Sequence, residues 1–146
     1  MVLNNAYNQY KQNSIYTSTP EELTLLLYNG LIKFIMQAQS SLAEKNIEKA
    51  SNSIIRAQDI VSHFRETLDM KYDLSQGLDA LYEYMHKRLV EANIKKDKEI
   101  LEEILNMSKE LRDTWGQAMK LAKHPLRPQQ QLQPLHPGEQ YLAAQE

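Results

Sequence analysis

Proline placement constrains this 146-residue chain more than any other feature: none of its five prolines falls between Pro20 and Pro125. Proline removes a backbone donor and clashes with the preceding helical turn. Long helices are therefore free to run through the middle of the chain and are barred from its last 22 residues, where Pro125, Pro128, Pro134 and Pro137 crowd together. Glycine is almost as scarce in the middle, with only Gly30, Gly77 and Gly116 between the outer prolines, which suits helices and not a turn-rich sheet.

Local signals divide that stretch into four helices. Thr19-Pro20-Glu21-Glu22 is a helix start: Thr19 caps the free amides, Pro20 loses no hydrogen bond at the first position, and Glu22 completes a capping box. The helix it opens should run to about Glu44. A second, from about Ile47 to Leu68, carries Ile47, Ala50, Ile54, Ala57, Val61, Phe64 and Leu68 at spacings of three and four. After a polar connection over Asp69 to Ser75, Ser75 is the expected cap of a third helix striped by Leu78, Leu81, Tyr82, Met85, Leu89 and Ala92. Asn93 to Lys96 read as a turn, and Asp97 as the cap of a fourth helix. Its stripe is Ile100, Leu101, Ile104, Leu105, Ser108, Leu111, Trp115, Met119 and Ala122, and it ends near Lys123. Helices of this length joined by short connections pack as antiparallel neighbours. The expected fold is all-α, an antiparallel up-down-up-down four-helix bundle over residues 19–123. Residues 1–18 form a short N-terminal helix or arm, and the Pro- and Gln-rich residues 124–146 form a flexible tail.

Much chemistry is excluded by residue type. With no cysteine there is no disulfide, thiolate metal site or cysteine nucleophile. A net charge of −2 gives no field that would draw nucleic acid. The most apolar run, Leu23 to Met36, is interrupted by Asn29, Gly30 and Lys33 and falls short of the about 20 apolar residues a bilayer span needs, so membrane insertion is not expected. The N-terminus does not read as a secretory signal. A di-metal carboxylate site in a bundle takes two Glu-x-x-His motifs on different helices, and only Glu83 to His86 fits. No phosphate loop or nucleophile elbow occurs. Ser40, Ser41, Ser51 and Ser53 are expected to face solvent, and Lys95, Lys96 and Lys98 to form a solvated turn beside Asp97 and Glu99. The reading is a binding protein and not an enzyme, with no metal and no cofactor.

The anomaly is the first helix. A surface helix buries a stripe about 100° wide, yet Leu23, Leu25, Leu26, Leu27, Tyr28, Leu31, Ile32, Phe34, Ile35 and Met36 cover most of its circumference. Either the helix is central and contacts several neighbours, or part of its apolar surface is a groove for a partner helix. Tyr7 and Tyr10, on the N-terminal arm, are side chains of the kind that dominate protein interfaces.

Read in order, Asn5-Ala6-Tyr7-Asn8-Gln9-Tyr10, Thr19-Pro20-Glu21-Glu22-Leu23, Leu27-Tyr28-Asn29-Gly30, Leu81-Tyr82, Arg88-Leu89, Ala92-Asn93 and Leu111-Arg112-Asp113-Thr114-Trp115 give the chain a family likeness. It resembles the FliS family of flagellin export chaperones over about residues 5 to 123. The resemblance implies a bacterial cytosolic protein that binds the C-terminal helical segment of flagellin, prevents its premature polymerisation and delivers it to the flagellar type III export gate. It also implies that Tyr7, with Tyr10 near it, belongs to the region that docks on the export gate protein. The groove residues expected for the flagellin segment are Leu23, Leu26, Leu27, Leu31 and Ile35. The alternative is a helical-bundle binding module that regulates flagellar assembly through a different protein partner. The tail from Pro125 to Glu146 matches nothing in the family pattern.

Overall fold

The computed structural model describes residues 18–123, so most of the expected arm, with Tyr7 and Tyr10, and the tail 124–146 lie outside the described residues. Four helices follow one another: α1 (Pro20–Ala43), α2 (Ile47–Glu66), α3 (Asp73–Lys95) and α4 (Lys98–Lys123). The chain divides after Asp113. The bundle described below comprises α1, α2, α3 and α4 as far as Asp113, and Thr114–Lys123 continues α4 as helix.

The helix ends follow from local chemistry. At α1 the Glu22 amide donates to Thr19 Oγ1 at 3.1 Å while the Thr19 amide donates to Glu22 Oε1 at 3.0 Å, with Pro20 in the first turn. This is the reciprocal cap the sequence announces. Asn46 caps α2 by accepting from the Lys49 amide at 3.1 Å. Asp97 Oδ1 caps α4, accepting from the amides of Glu99 at 2.8 Å and Ile100 at 3.2 Å. Ser75 does not cap α3. The helix begins two residues earlier, after Tyr72, whose side chain makes no capping bond. The Ser75 hydroxyl instead donates to the Asp69 carbonyl at 2.7 Å, tying the α2–α3 connection down from inside the helix. The third helix also runs on into the expected turn, ending at Lys95 because Lys96 takes the left-handed conformation (φ 53°) and the Asp97 amide reaches back to the Ala92 carbonyl.

Antiparallel pairing is visible in the side chains that meet. A Cβ on Gly30 would lie 3.5 Å from Ile60 Cδ1, and the Arg56 guanidinium sits 5.6 Å from the centre of the Phe34 ring, so α1 ascends as α2 descends. Between α2 and α3, Phe64 meets Tyr82 and Arg65 meets Asp79 at 2.8 Å. Arg88 and Tyr84 of α3 both reach Glu103 of α4, and Gln39 of α1 donates to Glu102 at 2.8 Å, which ties α4 to both sides of the bundle.

The core is built from the expected stripes: Ala50, Ile54, Ala57, Val61 and Phe64 of α2, Tyr82, Met85, Leu89 and Ala92 of α3, and Ile100, Leu101, Ile104 and Leu105 of α4. Ile47, at the head of the second stripe, is exposed instead. Ser41 and Ser53 are buried, against the expectation that they face solvent, since both are small enough to sit in the packed faces of α1 and α2. At the centre, the hydroxyls of Tyr28 (α1) and Tyr82 (α3) lie 2.6 Å apart in a buried hydrogen bond. The Phe64 ring of α2 stands 4.5 Å from the Tyr28 ring and 5.4 Å from the Tyr82 ring. Burial pushes both phenols above the usual tyrosine range, so both keep their protons at neutral pH.

Tyr28→Phe leaves the Tyr82 hydroxyl buried without this partner and is expected to cost about 1–3 kcal/mol. The double variant Tyr28→Phe/Tyr82→Phe should cost less than the sum of the single variants, measured by urea denaturation.

Candidate functional site

The α1 helix resolves its excess of apolar residues into three bands. Tyr28, Leu31, Ile32, Ile35 and Ala38 are buried and belong to the bundle's own core. Leu23, Leu27 and Phe34, again at helical spacing, are half-buried. The Arg56 guanidinium sits over the Phe34 ring, and Gly30 faces Ile60 of α2. The third band, Leu26, Asn29, Lys33, Met36 and Ser40, faces outward, with Leu26 41% and Met36 50% exposed.

The five residues expected to line a groove therefore do not share one environment. Leu31 and Ile35 have no exposed surface; Leu23 and Leu27 are partly accessible; Leu26 stands outward. Met36 was not among the five, although its spacing of three and seven from Lys33 and Asn29 places it with the exposed band. The missing signal was the rotation of the helix about its axis, which an apolar circumference does not encode.

The sequence motifs acquire definite places. In Leu27-Tyr28-Asn29-Gly30, Tyr28 bonds Tyr82, the second residue of Leu81-Tyr82, while Gly30 faces Ile60 of α2. Of Arg88-Leu89, Leu89 is buried and Arg88 bridges Glu91 at 2.7 Å and Glu103 at 2.9 Å. Lys95 pairs with Glu91 at 2.8 Å, extending the ladder. Hydrogen bonds from Lys95 and Arg88 hold the Glu91 carboxyl below the usual range, and bonds from Tyr84 and Arg88 do the same for Glu103. Of Ala92-Asn93, Ala92 accepts at the end of α3 and Asn93 holds the Lys96 ammonium. These motifs shape the scaffold. Glu83, of the Glu-x-x-His pair, is exposed and lies 3.8 Å from Arg65. Among the described residues no group of three or more histidine and acidic side chains is placed to hold a metal ion, and no helix is long and apolar enough to cross a membrane.

The family model described as flagellar protein FliS matches residues 3–122, which takes in all four helices. The chain belongs to the FliS family. It is 42% identical over 120 residues to the flagellar secretion chaperone FliS of Bacillus subtilis, covering 82% of this chain and 90% of that protein. It is 34% identical over 116 residues to the flagellar secretion chaperone FliSB of Pseudomonas aeruginosa, covering 75% of this chain and 92% of that one. The flagellar secretion chaperone FliS of Escherichia coli is 26% identical over 111 residues, covering 74% of this chain and 82% of the relative. FliS relatives are thus flagellar secretion chaperones, and the matched region carries the scaffold motifs as well as the outward band of α1.

The division of α1 is testable by stability alone. Ile35→Ala should cost about 2–5 kcal/mol, Leu26→Ala less than about 1 kcal/mol, and Leu27→Ala an amount between them, read from urea midpoints at unchanged slope.

Proposed function

We propose that this protein is a bacterial cytosolic chaperone that binds the C-terminal helical segment of flagellin, keeps it from polymerising early and brings it to the flagellar export gate. The observation that carries this reading is the α1 helix. A helix that already fills a core with one face still presents Leu26 and Met36 to solvent and Leu23, Leu27 and Phe34 half-covered. A bundle needs no such surface for its own stability, and membership of a family of secretion chaperones supplies a class of client that does.

Of the five residues proposed for the flagellin groove, Leu23, Leu26 and Leu27 offer the direct contacts, and Leu31 and Ile35 support them from the core. The client segment would dock as an amphipathic helix, replacing apolar contacts it lacks outside the filament. Ordering that segment costs roughly 2–5 kcal/mol of the interaction, so several contacts must act together. Tyr7 and Tyr10 are the proposed contacts with the export gate protein. Regulation of flagellar assembly through a different partner remains the alternative use of the same bundle, separated from the first by client preference.

Isothermal titration with a peptide covering the flagellin C-terminal segment should give stoichiometric binding with a negative heat-capacity change; no binding at tens of micromolar contradicts the proposal. Tyr7→Ala should leave helicity and cooperative unfolding unchanged while weakening capture by the purified cytosolic domain of the export gate. A large loss of circular dichroism would instead make Tyr7 a structural residue.

A further inference from the structure

Between α2 and α3 the chain turns through residues 67–72, and this corner is at odds with its composition. Met70 is 52% exposed, Tyr72 62% and Leu74 74%, so within five residues three large apolar side chains cover little of the bundle. Single exposed apolar residues are ordinary on a protein surface, but a cluster of them on one short segment marks an interaction site. The segment is also held in place. The Lys71 amide donates to Asp69 Oδ1 at 3.1 Å, the Tyr72 amide to the Asp69 carbonyl at 3.3 Å, and the buried Ser75 donates to the same carbonyl at 2.7 Å. The apolar side chains are therefore presented on a fixed backbone.

The charge around the corner selects the occupant. From Arg65 to Glu83 the sequence places five carboxylates against two cations. Both cations are committed, Arg65 to Asp79 at 2.8 Å and Lys71 to Asp69 at 3.5 Å. Glu66, at the end of α2, and Asp73, between Tyr72 and Leu74, are both exposed and enter no ion pair among the described residues. An anionic lipid surface or a nucleic acid would be repelled, and a two-fold contact between corners of two copies would bring two net-negative surfaces together. We propose that the Met70–Leu74 corner is a second docking surface, distinct from α1, for a protein segment that carries apolar side chains flanked by lysine or arginine. Met and Tyr supply the adaptable and the rigid parts of the apolar contact, and Glu66 and Asp73 steer the basic flanks.

The test uses the full chain and a synthetic amphipathic Leu/Lys peptide of about 14 residues, long enough to form a helix on binding, titrated while amide and tyrosine-ring NMR signals are followed. The expected shifts centre on residues 66–74. Affinity should fall about tenfold in Tyr72→Ser/Leu74→Ser and fall again with salt or with Glu66→Lys/Asp73→Lys. It should be unchanged in Ile94→Ser, which removes an equally exposed apolar side chain elsewhere (78% exposed). The substituted positions are exposed, and circular dichroism checks that the variants fold. Four results would each overturn the proposal: peptide shifts centred on another surface; binding indifferent to the corner variants, or equal binding of a Leu/Glu peptide; binding to phosphatidylglycerol vesicles, or self-association, that these variants abolish; and Tyr72 ring contacts with residues 1–17 or 124–146 in the free protein.

Discussion

The hydroxyls of Tyr28 and Tyr82, 54 positions apart in sequence, meet at 2.6 Å in the interior, and the Phe64 ring lies against both tyrosine rings. Three helices are pinned at one level by this contact. Apolar side chains alone would let helices slide by a turn with modest loss, whereas sliding here strands two buried hydroxyls. With the rotation of α1 fixed by Tyr28, the rest of its surface follows: Leu31, Ile32 and Ile35 turn inward, Gly30 turns to α2, and Leu26 and Met36 turn out. The proposed flagellin-binding surface is in this sense the remainder of a helix whose other faces are already committed.

The bundle was legible from sequence where the determinants are local. Thr19, Pro20 and Glu22 define the start of α1 within four residues, and Asp97 marks the start of α4. The stripes of α2, α3 and α4 named most of the core because a repeat of three and four survives folding unchanged. What failed depended on neighbours. Ser75 has the residue type of a cap, but the preceding connection uses its hydroxyl for the Asp69 carbonyl, so the helix starts earlier. Ser41 and Ser53 look polar in sequence and are buried because a close helix–helix face favours small side chains.

The proposed binding surface was legible only as an excess. An apolar circumference says that α1 has more hydrophobic surface than one core uses, but assigning Leu31 and Ile35 to the inside and Leu26 to the outside requires the tyrosine pair. The motif likeness to the FliS family reports chiefly on this scaffold: Tyr28, Gly30, Tyr82, Arg88, Leu89 and Ala92 all serve packing, ion pairing or helix termination. Scaffold residues and the proposed client contacts are interleaved on α1, where half-buried Leu27, proposed to meet the client, precedes Tyr28, which packs the core.

The most direct test of this division is a methyl NMR titration of the Ile/Leu/Val-labelled protein with the flagellin C-terminal segment. The account predicts large shifts for the methyl groups of Leu23, Leu26 and Leu27, with the fully buried Leu89 of α3 and Leu101 and Ile104 of α4 unmoved. Large shifts throughout that core with Leu26 unmoved would contradict it, because the client would then bind by opening the bundle and not by using what α1 leaves outside.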